Sequence, residues 1–292
     1  MRASVVLQYL LPHRFLSRLV LWGTRWTFAP WKNFLIERIV RSYGIDLAEA
    51  ENGDLASYAH FNAFFTRSLK AGARPQASGI DAILCPADGR ISQSGAIHAG
   101  RLLQAKGQEF TAAELLGDEA AASPYAVGGS FLTVYLSPRD YHRVHMPLAG
   151  ELVETVHIPG RIFSVAPFAV AAIPSVFARN ERLVCHFRSA EGPFAVVLVG
   201  AMLVSGIETV WRGVEVPPYA SRITRRDWRG RGIRLARGAE MGRFNMGSTA
   251  IVLLPASLGR FDAGLVPEQT VRVGGLVGHL ELGHNVTQID NL

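Results

Sequence analysis

Cysteine is scarce in this chain: 292 residues hold only Cys85 and Cys185, at no paired spacing. That excludes a disulfide framework and a thiolate metal site. Acidic residues are outnumbered too, 24 Asp and Glu against 30 Lys and Arg, for a net charge of +6. Such a balance favours anionic partners, whether nucleic acid, anionic lipid or solvent ions. A spanning helix is also missing, because Pro12, His13 and Arg14 break the first apolar run after about ten residues, short of the ~20 a bilayer requires. Nothing at the N-terminus reads as a cleaved secretory signal, so a reduced cytoplasmic compartment is expected and Asn285-Val-Thr reads as a chance sequon. No solenoid repeat and no low-complexity segment occurs, and the nine histidines do not gather with Cys or carboxylates at ligand spacing, so no metal is expected. What is abundant is apolar residues, 49% against 18% charged, which predicts apolar surface facing something other than water, a membrane being the obvious candidate.

The apolar excess begins at the N-terminus. Residues 3 to 40 carry Arg14, Arg18, Arg25, Lys32 and Arg38 against the single acid Glu37. On a helical count Phe15, Leu19, Trp22 and Trp26 form one stripe, with Arg14, Arg18 and Arg25 on its flank. This pattern predicts helices lying in a bilayer interface, tryptophans at headgroup depth and cations facing anionic lipid. Ordinary helices packed on a core are the alternative.

From about residue 50 the texture changes. "HFNAFFTRSL" keeps helical spacing, but after Ile83 short apolar runs alternate with Gly, Pro and Asp turns. "GSFLTVYLSP", "ELVETVHIPG", "ERLVCHF", "PFAVVLVGAMLVSGIETV" and "TAIVLLP" read as strands, several buried on both faces. The expected fold is α+β and strand-rich, a sheet or sandwich-like catalytic core over residues 46–292 with amphipathic membrane-association helices over 1–45. The one charge run, residues 221 to 238, sets seven arginines against Asp227; it reads as an exposed hairpin, and no nucleic-acid partner is expected.

Three polar clusters interrupt the strands: "CPADGRIS" with Asp88, "SPRDYHRVHMP" with His142 and His145, and "NMGSTAIVLL" with Ser248. Each alone has a plain explanation: Asp-Gly is a turn dipeptide, a buried histidine satisfies a hydrogen bond, and Gly-Ser-Thr caps a strand. Together they supply an acid, an imidazole and a hydroxyl, the set that makes serine nucleophilic. A serine hydrolase is one outcome, although the GxSxG elbow is missing. The other follows from Gly247 preceding Ser248. Attack of Ser248 Oγ on the Gly247 carbonyl carbon exchanges the peptide bond for an ester, glycine leaving that carbonyl unshielded and allowing a strained backbone. Elimination across Cα and Cβ of residue 248 then cuts the chain and leaves dehydroalanine. Hydrolysis with loss of ammonia yields a pyruvoyl group.

The blocks "FFTRSL", "PADGRIS", "DYHRVHMP", "PGRIFSV", "VFARNERLVCHF", "GAMLVSGIETVW" and "GAEMGRFNMGST", in this order from about residue 50 to 280, resemble phosphatidylserine decarboxylase precursors. The resemblance implies a self-processing set of Asp88, His145 and Ser248. It implies cleavage between Gly247 and Ser248 into a β chain of residues 1–247 and an α chain of residues 248–292, and a covalent pyruvoyl cofactor on residue 248. That ketone would form a Schiff base with the amine of phosphatidylserine and act as electron sink while CO2 leaves, giving phosphatidylethanolamine. Met246 stands where the family has leucine, a volume-conserving exchange. The tail after about residue 280 matches nothing recognised.

By the same resemblance His142 and His145 lie beside the pyruvoyl. Their i, i+3 spacing does not tell which one faces substrate. His145 is assigned to the Asp88 relay and His142 to substrate contact or proton donation, with a plain core histidine as its alternative. Phe163 is a candidate wall for the acyl or glycerol part, or a core residue. Expected partners are phosphatidylserine in an anionic membrane, the chain's own β and α fragments, and a second copy in a homodimer, on the cytoplasmic face of a cell membrane. The strand "AIVLLP" is read as the anchor holding the α chain once the peptide bond is gone. Rival readings are the hydrolase, a basic membrane- or nucleic-acid-binding module, and the same chemistry on another amine substrate.

Overall fold

The computed structural model describes residues 3–202, 206–217, 219 and 221–281, so most of the unassigned tail and the Asn285 sequon lie outside the described residues. The N-terminal periodicity becomes three helices, α1 (Ala3–Leu10), α2 (His13–Arg25) and α3 (Ala29–Tyr43). Pro12 parts the first two, because its ring cannot continue a helix. Pro30 occupies the first turn of α3, where no N–H is needed, and Gly44 closes α3 in the left-handed conformation, donating to the Val40 carbonyl. Trp26 is extended at the end of α2, so the aromatic stripe leaves the helix there and continues as stacked rings, Trp22 on Trp26 at 5.5 Å and Trp26 on Phe28 at 5.3 Å.

Helix α2 is inverted relative to an ordinary surface helix. It buries His13, Ser17 and Thr24 and exposes Phe15, Leu19 and Trp22, the last at 66%. Its arginines differ from expectation: Arg14 pairs with Glu181 at 3.5 Å and Arg25 with Glu208 at 2.9 Å, so both charges tie the helix to the protein. Among the described residues no helix is long and apolar enough to cross a membrane.

The remainder is strand-rich, as expected, and every strand pairing in the named sheets is antiparallel. A nine-stranded sheet runs Thr224–Asp227, Gly150–Ile158, Arg182–Arg188, Pro193–Val199, Ser248–Leu254, Ser130–Leu136, Gly89–Ala96 and Thr270–Val271, with Arg234–Leu235 also against Gly150–Ile158. A four-stranded sheet orders Gly213–Val216, Ile207–Thr209, Glu240–Phe244 and Arg143–His145. Strand Ser248–Leu254 is buried on both faces: Ile251 and Leu253 join the apolar cluster with Phe163 and Phe177, while Ala250, Val252 and Leu254 join the one with Phe187 and Phe244. Its unbroken apolar run is therefore what a central strand between two core layers demands.

The charge run is not a hairpin. Its two short strands lie one after the other along the same edge of Gly150–Ile158. Its arginines are largely engaged within the protein: Arg225 pairs with Asp118 and Glu154, Arg226 with Glu215, and Arg234 with Glu151.

Candidate active site

Ser248 opens the central strand of the large sheet, and Phe244 closes a strand of the small one, so residues 245–247 form the link between the two sheets. The link is braced from several sides. Asn245 donates to Glu208 at 2.8 Å and accepts from Asn62 at 2.9 Å, its backbone N–H meets the Gly206 carbonyl at 2.8 Å, and Arg25 of α2 reaches the same Glu208 oxygen at 2.9 Å. The strained residue is Met246, with φ +93°, and Gly247 is not in the left-handed region. This corrects the expectation that glycine takes up the strain, since a positive φ on a residue with a Cβ costs on the order of 1–3 kcal/mol. A Cβ on Gly247 would meet only ordinary contacts, 3.6 Å from the Leu136 carbonyl oxygen and 3.9 Å from His142 Nε2. The space beside position 247 would therefore hold a methyl group, and glycine is not required there by crowding.

Ser248 is fully buried, and its Oγ has no hydrogen-bond partner. His142 is fully buried as well; its Nδ1–H donates to the Asp140 carbonyl at 2.7 Å, which leaves Nε2 as an unprotonated and unpartnered nitrogen beside Gly247. Burial pushes its pKa down to about 3, so the ring is neutral. The Phe65 ring lies against it, centroids 4.0 Å apart. Phe65 belongs to α4 (Phe61–Phe65), which His60 caps by accepting from the Ala63 N–H and which buries Phe61, Phe64 and Phe65 at i, i+3, i+4 against Ile36 of α3.

His145 stands further along the same segment. Its Nδ1–H donates to the Gly238 carbonyl at 2.9 Å, and Nε2 accepts from the Tyr141 hydroxyl at 3.1 Å. Burial lowers its pKa, opposed in part by the hydrogen bond to Gly238, then by the charge of Glu240 and, least, by that of Asp88. Asp88 itself is held by Arg74, whose Nε donates to both carboxylate oxygens at 2.9 Å, and by the Val273 N–H at 2.8 Å. Arg74 also reaches Glu49 at 2.8 Å and holds that carboxyl below its usual range. Asp88 and His145 are thus neighbours coupled through space, their segments joined by the His145 N–H on the Pro86 carbonyl at 2.8 Å, and no direct hydrogen bond joins their side chains. The Asp-Gly dipeptide is no turn: a Cβ on Gly89 would overlap the Tyr135 carbonyl oxygen, so glycine lets two strands approach closely beside Asp88.

A cavity of about 300 Å³ opens onto the Gly247–Ser248 bond, walled by Ile39 and Tyr43 of α3, Phe65, Tyr135 and Met246. Phe163 is not part of that wall; it is buried under the N-terminal helices, against Tyr9 at 5.0 Å and His13 at 5.5 Å, and only its neighbours Ser164, Val165 and Ala166 reach the cavity. A larger hollow of about 750 Å³ lies beside Gly150 and Arg188, at the far end of the sheet from Ser248. Arg74 and Tyr141 were not legible as site residues, because nothing in the sequence pairs an arginine in an Ala/Gly loop with an aspartate 14 positions later.

The model of the phosphatidylserine decarboxylase family matches residues 61–279, three quarters of the chain and all the elements just described except the N-terminal helices. The chain belongs to the phosphatidylserine decarboxylase family. A second family model, described as PSD, matches residues 3–44. The phosphatidylserine decarboxylase proenzyme of Xanthomonas axonopodis pv. citri (strain 306) is 59% identical over 268 residues, 92% of this chain and 95% of that protein. That of Xylella fastidiosa (strain M23) is 55% identical over 286 residues, 98% and 97% of the two chains. This decarboxylase-family chain therefore matches both relatives along nearly their whole length.

Proposed function

We propose that this chain cleaves itself between Gly247 and Ser248, converts Ser248 to a pyruvoyl group, and with it decarboxylates phosphatidylserine to phosphatidylethanolamine. The observation that carries the reading is the buried, unpartnered Ser248 Oγ at the junction of two sheets, directly after Gly247 and with the bare Nε2 of His142 beside that glycine, in a chain of this family. The residues fit the group: a new ketone at position 248 stays in a dry site, since residue 249 onward is paired on both sides by Pro193–Val199 and Ser130–Leu136. The Glu240–Phe244 strand keeps its own pairing in the small sheet, so neither new end loses its sheet. The two products of cleavage are the β chain 1–247 and the α chain 248–292.

The pyruvoyl group supplies the electron sink for the pair left on Cα when CO2 departs. The chain's own residues supply the rest. His145, coupled to Asp88, takes the Ser248 Oγ proton during self-cleavage at its Nε2, which its Nδ1–H bond to Gly238 leaves as the ring's acceptor and which exchanges the Tyr141 hydroxyl for the serine. Arg74 and the Val273 N–H hold Asp88 in place. His142, whose bare Nε2 lies beside residue 247, takes a proton from the substrate's ammonium group as it enters and returns that proton to Cα after CO2 leaves. The exposed Phe15, Leu19, Trp22, Phe28 and Phe34 form an apolar face that rests on a membrane, on its cytoplasmic side, while α3 lines the cavity leading to residue 248. Residues 1–45 are thereby the docking unit and 46–292 the catalytic one, and two processed copies form a homodimer.

Intact mass of purified wild-type protein beside Ser248→Ala tests this. Two chains splitting at Gly247, the smaller lighter than a serine terminus allows by the change from amine to ketone, support it. A single full-length mass in active wild-type protein overturns it and restores the hydrolase reading.

A further inference from the structure

Arg161 and Arg179 share one aromatic ring. Their guanidinium carbons lie 5.5 Å and 5.1 Å from the centroid of Phe163, and that of Arg179 also lies 5.6 Å from the centroid of Tyr9. The ring attracts each cation, but it also gathers two like charges within roughly a Debye length of each other, where they repel. The hydrogen bonds that fix them go to neutral oxygens: Arg161 donates to the Tyr9 carbonyl at 3.0 Å, and Arg179 to the Pro174 carbonyl at 3.2 Å and the Tyr9 hydroxyl at 3.4 Å. Among the described residues no carboxylate pairs with either arginine. Glu181, whose backbone N–H bonds the Arg161 carbonyl at 2.8 Å, spends its side chain on His157 at 2.9 Å and Arg14 at 3.5 Å. The arginines of the 221–238 run differ, since Arg225, Arg226 and Arg234 each meet a carboxylate. Arg161 is exposed and Arg179 half-buried, so neither is sealed from a partner.

The surroundings say what kind of anion fits. The two arginines clasp α1 through Tyr9, whose ring packs on Phe163 at 5.0 Å, and Val5 and Gln8 share that buried side of the helix. The other side shows Val6, Leu7 and Leu10 to solvent, the last at 77%, and Phe168 of the short helix Pro167–Val170 is exposed as well. Apolar side chains standing in water beside unpaired guanidiniums match an anionic lipid interface, the former entering the acyl boundary and the latter stopping at the phosphates. A nucleic acid would match the charge and leave the apolar side wet. The patch also adjoins elements already placed at the membrane and the cavity: Phe163 meets His13, the first residue of α2, edge-on at 5.5 Å, and residues 164–166 line the cavity at Ser248.

We propose that Arg161 and Arg179 form a docking site for the phosphates of anionic phospholipids, which seats α1 and the catalytic unit on the membrane apart from the aromatic face of α2 and α3. This builds on the membrane reading above and adds charge selection to it. Aromatic side chains enter any bilayer interface, whereas a guanidinium pair without a counter-ion favours a surface that supplies one. Because residues 164–166 follow Arg161 closely, docking there brings one wall of the cavity to headgroup level.

The test uses the full chain, wild type beside Arg161→Gln alone and the double variants Arg161→Gln/Arg179→Gln and Arg161→Lys/Arg179→Lys. Sedimentation is measured with vesicles of phosphatidylcholine alone and of phosphatidylcholine mixed equally with phosphatidylglycerol, an anionic lipid without an amine, so that docking is read apart from the reaction. At low salt the Gln pair is expected to lose at least about tenfold in affinity for the mixed vesicles and to change by no more than about twofold on phosphatidylcholine, with Arg161→Gln alone losing at least about threefold on the mixed vesicles. The Lys pair keeps the charge and should stay within about threefold of wild type on both, and added salt should shrink the gap between wild type and the Gln pair. Intact mass of the same proteins reports self-cleavage, expected as in the wild type; an uncleaved wild type overturns the functional reading and leaves the vesicle comparison readable. Wild-type affinity of both Gln variants for the mixed vesicles would overturn the docking site. So would loss by Arg161→Gln on both vesicle types equally, the mark of a merely structural role, or arginine-dependent binding to a DNA duplex tighter than to the mixed vesicles, which would make the partner a nucleic acid.

Discussion

The imidazole of His142 lies on the ring of Phe65, centroids 4.0 Å apart, and presents a bare Nε2 3.9 Å from where a side chain on Gly247 would begin. His145, three residues on, spends its Nε2 on the Tyr141 hydroxyl. Two histidines of one short motif therefore hold different stations.

Separate stations predict separable defects. His145→Asn and Asp88→Asn are expected to slow self-cleavage by at least about a hundredfold, in the range of a lost general base. His142→Asn is expected to cleave but turn over lipid at least about a hundredfold more slowly. Mass time courses and CO2 release measure the two steps; uncleaved His142→Asn beside normally cleaved His145→Asn would exchange the roles.

Glu208 couples α2 to the cleavage link, accepting from Arg25 at 2.9 Å and Asn245 at 2.8 Å through the same oxygen. Glu208→Ala is expected to destabilise the precursor by about 2 kcal/mol, the size of a lost charged hydrogen bond, and to slow cleavage by loosening residues 245–247. Denaturation of the Ser248→Ala background gives the first quantity and the mass time course gives the second.

Gly89→Ala is expected to impair cleavage without touching any reacting group. The added methyl cannot coexist with the Tyr135 carbonyl oxygen, so the strand after Asp88 must shift away from Ser130–Leu136. A variant that cleaves at the wild-type rate would show that Asp88 needs no such fixed placement.

Stability should fall on mild acidification. His142 has its folded pKa pushed down to about 3 and His186 to about 4, both from 6.5, by burial. Between those values and 6.5 the unfolded chain binds protons that the folded chain does not, so stability is retained above 6.5 and lost as pH falls below it. At pH 5 His142 alone accounts for roughly 2 kcal/mol. Denaturant midpoints of Ser248→Ala from pH 7.5 to 5 measure the slope; adding His142→Asn should flatten it, and an unchanged slope would refute a buried neutral ring.

The exposed aromatic face makes a lipid prediction. Trp22, Phe28 and Phe34 are 66%, 53% and 59% exposed. Replacing all three by Ser is expected to weaken binding to vesicles containing anionic phospholipid by at least about a hundredfold, given about 1.5–3 kcal/mol per fully buried large apolar side chain. Sedimentation with vesicles measures it, and self-cleavage should be unaffected. Undiminished binding would move the docking surface elsewhere.

Local pattern was enough to read the strands and their two-sided burial, because a period-free run such as Ala250 to Leu254 has no polar face to offer water. It was likewise enough to propose Gly247–Ser248 as the reactive pair, since the proposed chemistry needs only two adjacent residues. The helices were legible as an aromatic and basic stripe, but their docking was not. Whether Arg14 and Arg25 face lipid or protein depends on Glu181 and Glu208, more than 160 positions away. The arginine run read as a hairpin for the same reason: its two strands pair with Gly150–Ile158, more than 60 positions away, and not with each other.

What the sequence by itself determined is therefore whatever neighbours along the chain decide: strand against helix, the adjacent Gly247 and Ser248 on which the proposed cleavage rests, the residue types on hand. Only the tertiary structure decided which histidine reaches Gly247, that Arg74 holds Asp88, that Met246 takes the strain, and that Arg161 and Arg179 share the Phe163 ring. Hydrogen bonds, charge pairing and burial act over a few ångströms of space, and the residues they join lie on different elements of the fold.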